Sequence, residues 1–319
     1  MDLRVWVPQG GLMDLGMPRR DVARAGLVAV IWGVNFVAIH ASLEHYPPLL
    51  LAGLRFLVLA IPTLLFVRRP RVQWRWLLGY GVGFGILQFA FLYLGMAAGM
   101  PAGLSSLVLQ ASAPFTVILA ALFLRERPGW VVLAGVAVAL TGLAVIAGYR
   151  GLAVSFVPVL LVLAGALGWA IGNLCSRQAR PDSPFRLMMW MTVVPPVPLL
   201  ALSFLVEGPD RVAAALAGAP AAWTANLGLA YTVILATVVG SGLWTSLLMR
   251  NSASSVAPFS MLVPVAGLTA AWLILGEQPS GWELLGGVLL VAGVLWPHLR
   301  RRAALGAVRA QRHTASVKA

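Results

Sequence analysis

The sequence predicts an all-α integral membrane protein of ten transmembrane helices, arranged as two inverted five-helix repeats with the N and C termini in the cytoplasm. Three observations carry this expectation. Of the 319 residues, 60% are hydrophobic and only 10% charged, and the mean hydropathy is +0.88. A soluble globular domain runs nearer half apolar and a quarter charged, so composition excludes a soluble enzyme and a disordered chain. The apolar residues fall into runs of about 20, the length an α-helix needs to cross the hydrocarbon core. The net charge of +13 sits in arginine clusters between those runs, which is the pattern of membrane orientation rather than of a nucleic-acid-binding face.

Residues 1–16 are mixed and aperiodic and read as a disordered N-terminal extension. Met17-Pro18-Arg19-Arg20 makes a natural alternative start with a basic flank. The first apolar run, near 23–43, is too long for the core of a cleavable signal and lacks a small-x-small cleavage site, so it reads as a retained span. Runs near 48–67, 75–97, 102–124 and 129–148 complete a first repeat over residues 17–150. Runs near 155–176, 187–206, 223–248, 254–275 and 281–299 form a second over 151–299, and residues 300–319 are a basic cytoplasmic tail. Pro and Gly inside several runs are tolerable where neighbouring helices satisfy the freed backbone groups. None of the runs alternates in the way a barrel strand does. The lone cysteine, Cys175, permits no intrachain disulfide and reads as a small core residue.

With the N-terminus inside, all but three of the 23 basic residues fall on the cytoplasmic side. The exceptions are Arg150 and Arg211 in outer loops and Arg55 within the second run. This bias places both termini in the cytoplasm of a multi-pass protein of the cell inner membrane or plasma membrane.

The halves echo each other. Pro114, Glu126, Pro128 and Gly129-Trp130 are followed about 150 positions later by Pro264, Glu277, Pro279 and Gly281-Trp282. Ser105-Ser106 has a counterpart near Ser255, and Trp32 with Asn35 is loosely matched by Trp169 with Asn173. Five helices is an odd number, so the second copy must be inverted. The loops agree: Arg125-Glu126-Arg127 is basic where Gly276-Glu277-Gln278 is acidic. Inverted repeats are the architecture of many secondary transporters, with the substrate site at the midplane between the halves.

Trp32-Gly33-Val34-Asn35-Phe36, Ala52-Gly53-Leu54-Arg55-Phe56, Gln88-Phe89-Ala90-Phe91, and the stretch Met100 to Gln110 with Leu124-Arg125-Glu126-Arg127 resemble the ten-helix drug/metabolite transporter superfamily, specifically its EamA-type exporters. The resemblance spans about residues 17–300 and is greatest to the bacterial branch that exports O-acetylserine, cysteine and related amino acids. It implies a basket formed by the first to fourth and sixth to ninth helices around a central cavity, with the fifth and tenth beside it.

No Asp or Glu falls in the middle of a run. That argues against proton coupling through an embedded carboxylate and against a cationic substrate; a neutral or zwitterionic metabolite fits better. Arg55 is the one charge inside a run, about 10 Å deep at 1.5 Å per residue. It reads either as a clamp on a substrate carboxylate or as an arginine that snorkels outward or is tied to carbonyls or Glu44. Asn35, Gln88, Gln110, Ser112, Asn173, Tyr231 and Ser260 are polar within runs and should point into the bundle, as cavity lining or as interhelical bonds. Gln88 and Gln110 stand out because an amide both donates and accepts. Tyr93 and Trp244 are candidates for apolar walls. Trp32, Trp169, Pro114 and Pro264 are candidate gates or hinges, the prolines because each removes a helical hydrogen bond.

No metal-ligand cluster, phosphate loop or nucleophile motif is present, so no metal, cofactor or catalytic residue is expected. The partners expected are a small-molecule substrate and the lipid bilayer, with no nucleic acid; the sequence does not fix an oligomeric state. The leading reading is alternating-access export of small neutral or zwitterionic metabolites, amino acids of the cysteine pathway first. The alternatives are carriage of another metabolite or drug class, or a non-transporting scaffold or channel.

Overall fold

The structure, a computed structural model, describes residues 17–153, 155–251 and 253–296. The extension expected at 1–16 and the tail expected at 300–319 lie outside these residues. The described residues are helical, with short connections. Nine helices among them are long and apolar enough to cross a membrane. They are α1 (Arg19–Leu43), α2 (Pro48–Phe66), α3 (Trp74–Ala97), α4 (Ala102–Phe123), α5 (Trp130–Ala153), α6 (Val157–Ala179), α7 (Pro184–Glu207), α9 (Trp223–Arg250) and α10 (Pro258–Leu275). The tenth expected run appears as α11 (Gly281–Trp296), a shorter apolar helix.

One helix is absent from the expectations. Between α7 and α9 the chain forms α8, Pro209–Gly218. Pro209 opens it and Asp210 stands in its first turn, both favourable at a helix N-terminus. Its alanine-rich run has high helix propensity. Val212 and Ala215 are buried, and the Ala215 carbonyl lies 2.8 Å from His45 Nε2, so α8 covers the α1–α2 connection.

Packing obeys an exchange between the halves. Helix α1 packs on α9 and α10, and α6 packs in the same way on α3 and α4. Helix α2 lies against α7, α4 against α10, and α5 against α11. Small residues let the backbones approach, the usual means of helix association where burial from water provides no drive. A Cβ on Gly83 would stand 2.6 Å from the Gly172 nitrogen, and one on Gly142 would stand 2.4 Å from the Gly286 carbonyl oxygen. The outward faces carry large apolar side chains, among them Leu65, Phe66, Leu273 and Ile274, as lipid contact requires.

Contacts between connections divide the bundle into two ends. At one end, Glu207 meets the start of α2, Glu277 meets the start of α4, and His45 meets α8. At the other, Glu126 pairs with Arg177, Asn251 donates to Asp21 at 3.0 Å, and Trp190 Nε1 donates to the Val67 carbonyl at 2.9 Å.

Some departures from α geometry follow the repeat. Gly81–Leu87 in α3 and Tyr231–Gly240 in α9 are π-helical, 150 positions apart at their starts. Tight 3₁₀ turns precede both repeated prolines, at Leu109–Ala111 and Ala257–Met261. Such interruptions concentrate at functional sites.

Candidate functional site

Proline chemistry builds one part of the site. Pro264 has no N–H, so the carbonyl four residues earlier, that of Ser260, loses its helical donor. Gln110 Nε2 supplies a replacement at 3.2 Å. Gln110 and Ser260 are equivalent positions, 150 residues apart, and they meet where α4 crosses α10. Pro114 and Pro264 are both buried at this crossing. Ser112 is buried beside them, and its carbonyl accepts from Thr116 Oγ1 at 2.6 Å.

Arg55 forms a second part. It is 6% exposed, so it does not snorkel, and it does not reach Glu44. One guanidinium nitrogen donates to Tyr93 Oη at 3.0 Å and another to Thr237 Oγ1 at 2.9 Å. The guanidinium carbon lies 4.0 Å from the centre of the Phe89 ring, a cation–π distance. Thr237 sits in the π-helical segment of α9, where its hydroxyl also donates to the Thr232 carbonyl at 2.8 Å. All of these partners are neutral, and Arg55 Nε is buried with no hydrogen bond. Among the described residues no carboxylate pairs with this cation. Burying an uncompensated charge costs several kcal/mol.

Three more buried side-chain oxygens lack a hydrogen bond: Asn35 Oδ1, Gln88 Oε1 and Ser105 Oγ. Asn173, the counterpart of Asn35, donates through Nδ2 to Thr116 Oγ1 at 3.2 Å, a bond between the halves; the position 150 residues after Thr116 is Ala266, which has no hydroxyl.

Aromatic side chains surround this polar group. Phe56, Phe89, Phe84 and Trp169 follow one another edge to face with centroids 5.3–5.9 Å apart, and Tyr93 joins at Phe89. Trp32 and Trp244 form a separate pair at 5.3 Å. Trp32 Nε1 donates to the Ala236 carbonyl at 2.9 Å, and Tyr231 Oη donates to the Ile31 carbonyl at 3.0 Å, joining α1 to α9. Most of the expected residues therefore separate into three groups, with Asn35, Asn173 on Thr116 and Trp169 on Phe84 outside them. Arg55 and Tyr93 are bonded together, with Gln88 adjacent in sequence to Phe89. Gln110, Ser260, Ser112 and the two prolines mark the α4–α10 crossing. Trp32, Trp244 and Tyr231 stitch α1 to α9.

Sequence reasoning missed Thr237, whose position in the middle of a run was the available signal. It also missed Glu207 and Glu277 as helix caps. Glu207 accepts from the Leu49 and Leu50 amides at 2.7 and 3.1 Å, and from Ser203 Oγ at 2.6 Å. Glu277 accepts from the Ala102 and Gly103 amides at 2.7 and 2.9 Å. The signal was a proline immediately before each helix start, Pro47 and Pro101, which leaves orphan amides with no side-chain cap of their own.

The chain matches the EamA-like transporter family over residues 24–148 and again over 157–296. It is 44% identical to a probable amino-acid metabolite efflux pump of Salmonella typhimurium, over 87% of this chain and 94% of that protein. A probable amino-acid metabolite efflux pump of Escherichia coli is 41% identical over the same shares. A probable terminal-alkyne amino-acid exporter of Streptantibioticus cattleyicolor is 32% identical over 84% of this chain and 90% of its own. One solved crystal structure of a protein shares the fold, with a TM-score of 0.58 and 19% identity over 90% of this chain and 99% of that one.

Proposed function

The chain belongs to the EamA-like transporter family, and from that premise we propose that it exports small zwitterionic amino-acid metabolites, those of the cysteine pathway foremost, by alternating access. The observation that carries the proposal is Arg55: a buried guanidinium with neutral partners and an Nε that bonds nothing. A substrate carboxylate supplies the missing charge, and a planar guanidinium binds it in fork geometry. A substrate ammonium needs acceptors, and Gln88 Oε1 and Asn35 Oδ1 are two buried carbonyl oxygens without donors. The Phe89 and Phe56 rings over the guanidinium exclude water from the ion pair and so strengthen it.

The two repeats supply the two states. In this conformation the end carrying Glu207 and Glu277 is fastened by carboxylates on the starts of α2 and α4. The distribution of basic residues supports that end as the outer one. Exchange of roles between the repeats then moves the fastened end to the other side.

Transport by the protein in liposomes, with a panel of labelled amino acids and with and without a proton gradient, tests this reading. Saturable efflux of amino acids with intact carboxylates is expected, with loss of at least tenfold for the corresponding amides. Equal transport of acids and amides would refute the carboxylate clamp. Transport of none of the panel would refute the substrate class.

A further inference from the structure

We propose that the protein carries, outside the transport path, a binding site for the phosphate headgroup of an anionic phospholipid, in a pocket between the α2–α3 connection and the end of α6. The pocket has a volume of about 760 Å³, and four of its walls are arginines: Arg69, Arg71, Arg75 and Arg180. Gln178 and Trp76 add a polar amide and an indole ring.

The acids at this end of the bundle are already engaged by other arginines. Asp182 pairs with Arg186 at 3.2 Å, Glu126 pairs with Arg177, and Asp21 pairs with Arg24 at 3.3 Å. Among the described residues no ion pair involves the four pocket arginines. Two of them are steadied instead by neutral neighbours. The Arg69 guanidinium lies 3.7 Å from the centre of the Trp74 ring, while Arg75 lies 4.8 Å from that of Trp76 and donates to Gln73 Oε1 at 2.8 Å. Stacking on an indole holds a guanidinium in place while leaving its edge for an anion. Four unpaired cations facing one cavity repel one another, and an anion between them relieves that repulsion.

The surface next to the pocket selects a lipid over a soluble anion. Trp74, Leu78 and Val82 follow at four-residue spacing, one face of a helix, and are 52%, 46% and 42% exposed. At the end of α2, Leu64, Leu65 and Phe66 are exposed at 56%, 69% and 82%. An apolar stripe thus runs along the bundle directly from the arginines into the membrane. A phospholipid has this division, with a phosphate for the arginines and acyl chains for the stripe. Tryptophan at the boundary is the usual interfacial anchor, and basic pockets between helices are known to hold anionic headgroups.

Native mass spectrometry of the full chain released from detergent tests the site, with phosphatidylglycerol, phosphatidylcholine or inorganic phosphate each added alone. The wild type is expected to retain one phosphatidylglycerol under activation that strips phosphatidylcholine. The Arg69→Gln, Arg71→Gln, Arg75→Gln, Arg180→Gln variant should lose that retention at least tenfold. A variant with the same charge loss elsewhere, Arg19→Gln, Arg20→Gln, Arg125→Gln, Arg127→Gln, should keep it. The milder Arg71→Gln, Arg180→Gln pair, both exposed, should reduce it by a smaller factor, which keeps the test decisive if the fourfold variant does not fold. Equal retention of the two lipids overturns the proposal, as does equal loss in both fourfold variants or no loss in the pair. Capture of inorganic phosphate that phosphatidylglycerol does not displace assigns the pocket to a soluble anion and overturns the lipid source.

Discussion

Arg55 condenses the residue-scale problem. As the one charge inside an apolar run it was legible in the sequence as a candidate, because a charge at that depth needs a reason. Its partners were not, since Thr237 lies 182 positions away and the ring beneath it is an ordinary phenylalanine. Gln110 went the other way. An amide in a span could line a cavity or bond between helices; the proline at 264 frees a carbonyl to which Gln110 donates, a partner foreseeable only once the two repeats are laid face to face. The Tyr93 and Thr237 hydroxyls accept from Arg55 and so hold the guanidinium in position without neutralising it. Tyr93→Phe and Thr237→Val should each raise the substrate concentration for half-maximal efflux by about 10- to 150-fold at unchanged expression, because a neutral hydrogen bond to a charged group is worth about 1.5–3 kcal/mol. Arg55→Lys should retain weak transport and Arg55→Gln should abolish it. Efflux assays that find Arg55→Gln as active as the wild type would remove the arginine from the substrate path.

The element scale explains why helix starts were harder to read than helix bodies. The bodies declare themselves by length and apolarity, and the expected runs agree with the helices to within a few residues. Starts behind proline carry no local cap, so their orphan amides must be served from elsewhere in the chain, and neither donor nor acceptor marks the other in sequence. The amphipathic α8 escaped notice for a related reason: it is too short and too polar to register as a span, and only its fit over the α1–α2 connection gives it a place. Glu277 serves two amides of α4 at once, and the carboxylate also faces the positive end of the helix dipole. Replacing it by Gln leaves one acceptor and no charge, a loss of about 1–2 kcal/mol. Glu126, its counterpart in the repeat, pairs with Arg177 where both side chains are about half exposed, and such pairs contribute about 0–1 kcal/mol. Thermal unfolding in detergent should therefore rank Glu277→Gln as the more destabilised variant. The reverse order would mean that the Glu126–Arg177 pair, not the Glu277 cap, fastens this conformation.

At the scale of the whole molecule, a 150-residue echo of a few prolines, glutamates and tryptophans was enough to foresee a two-part architecture. It was not enough to foresee how the parts interlock. The first helix of each half packs against two helices of the other half, so neither half forms its core alone. That exchange depends on the second unit running opposite to the first. Inversion has a direct consequence for two loops related by the repeat, the one after α4 and the one after α10: they must lie on opposite membrane faces. In a Cys175→Ser background, Gln278→Cys should react with a membrane-impermeant thiol reagent applied to intact cells, and Arg127→Cys only after permeabilisation. If both reacted before permeabilisation, the repeats would be parallel. The end that gathers Glu207, Glu277 and α8 could then not be assigned to the outer face, and the proposed alternating access would lose its support.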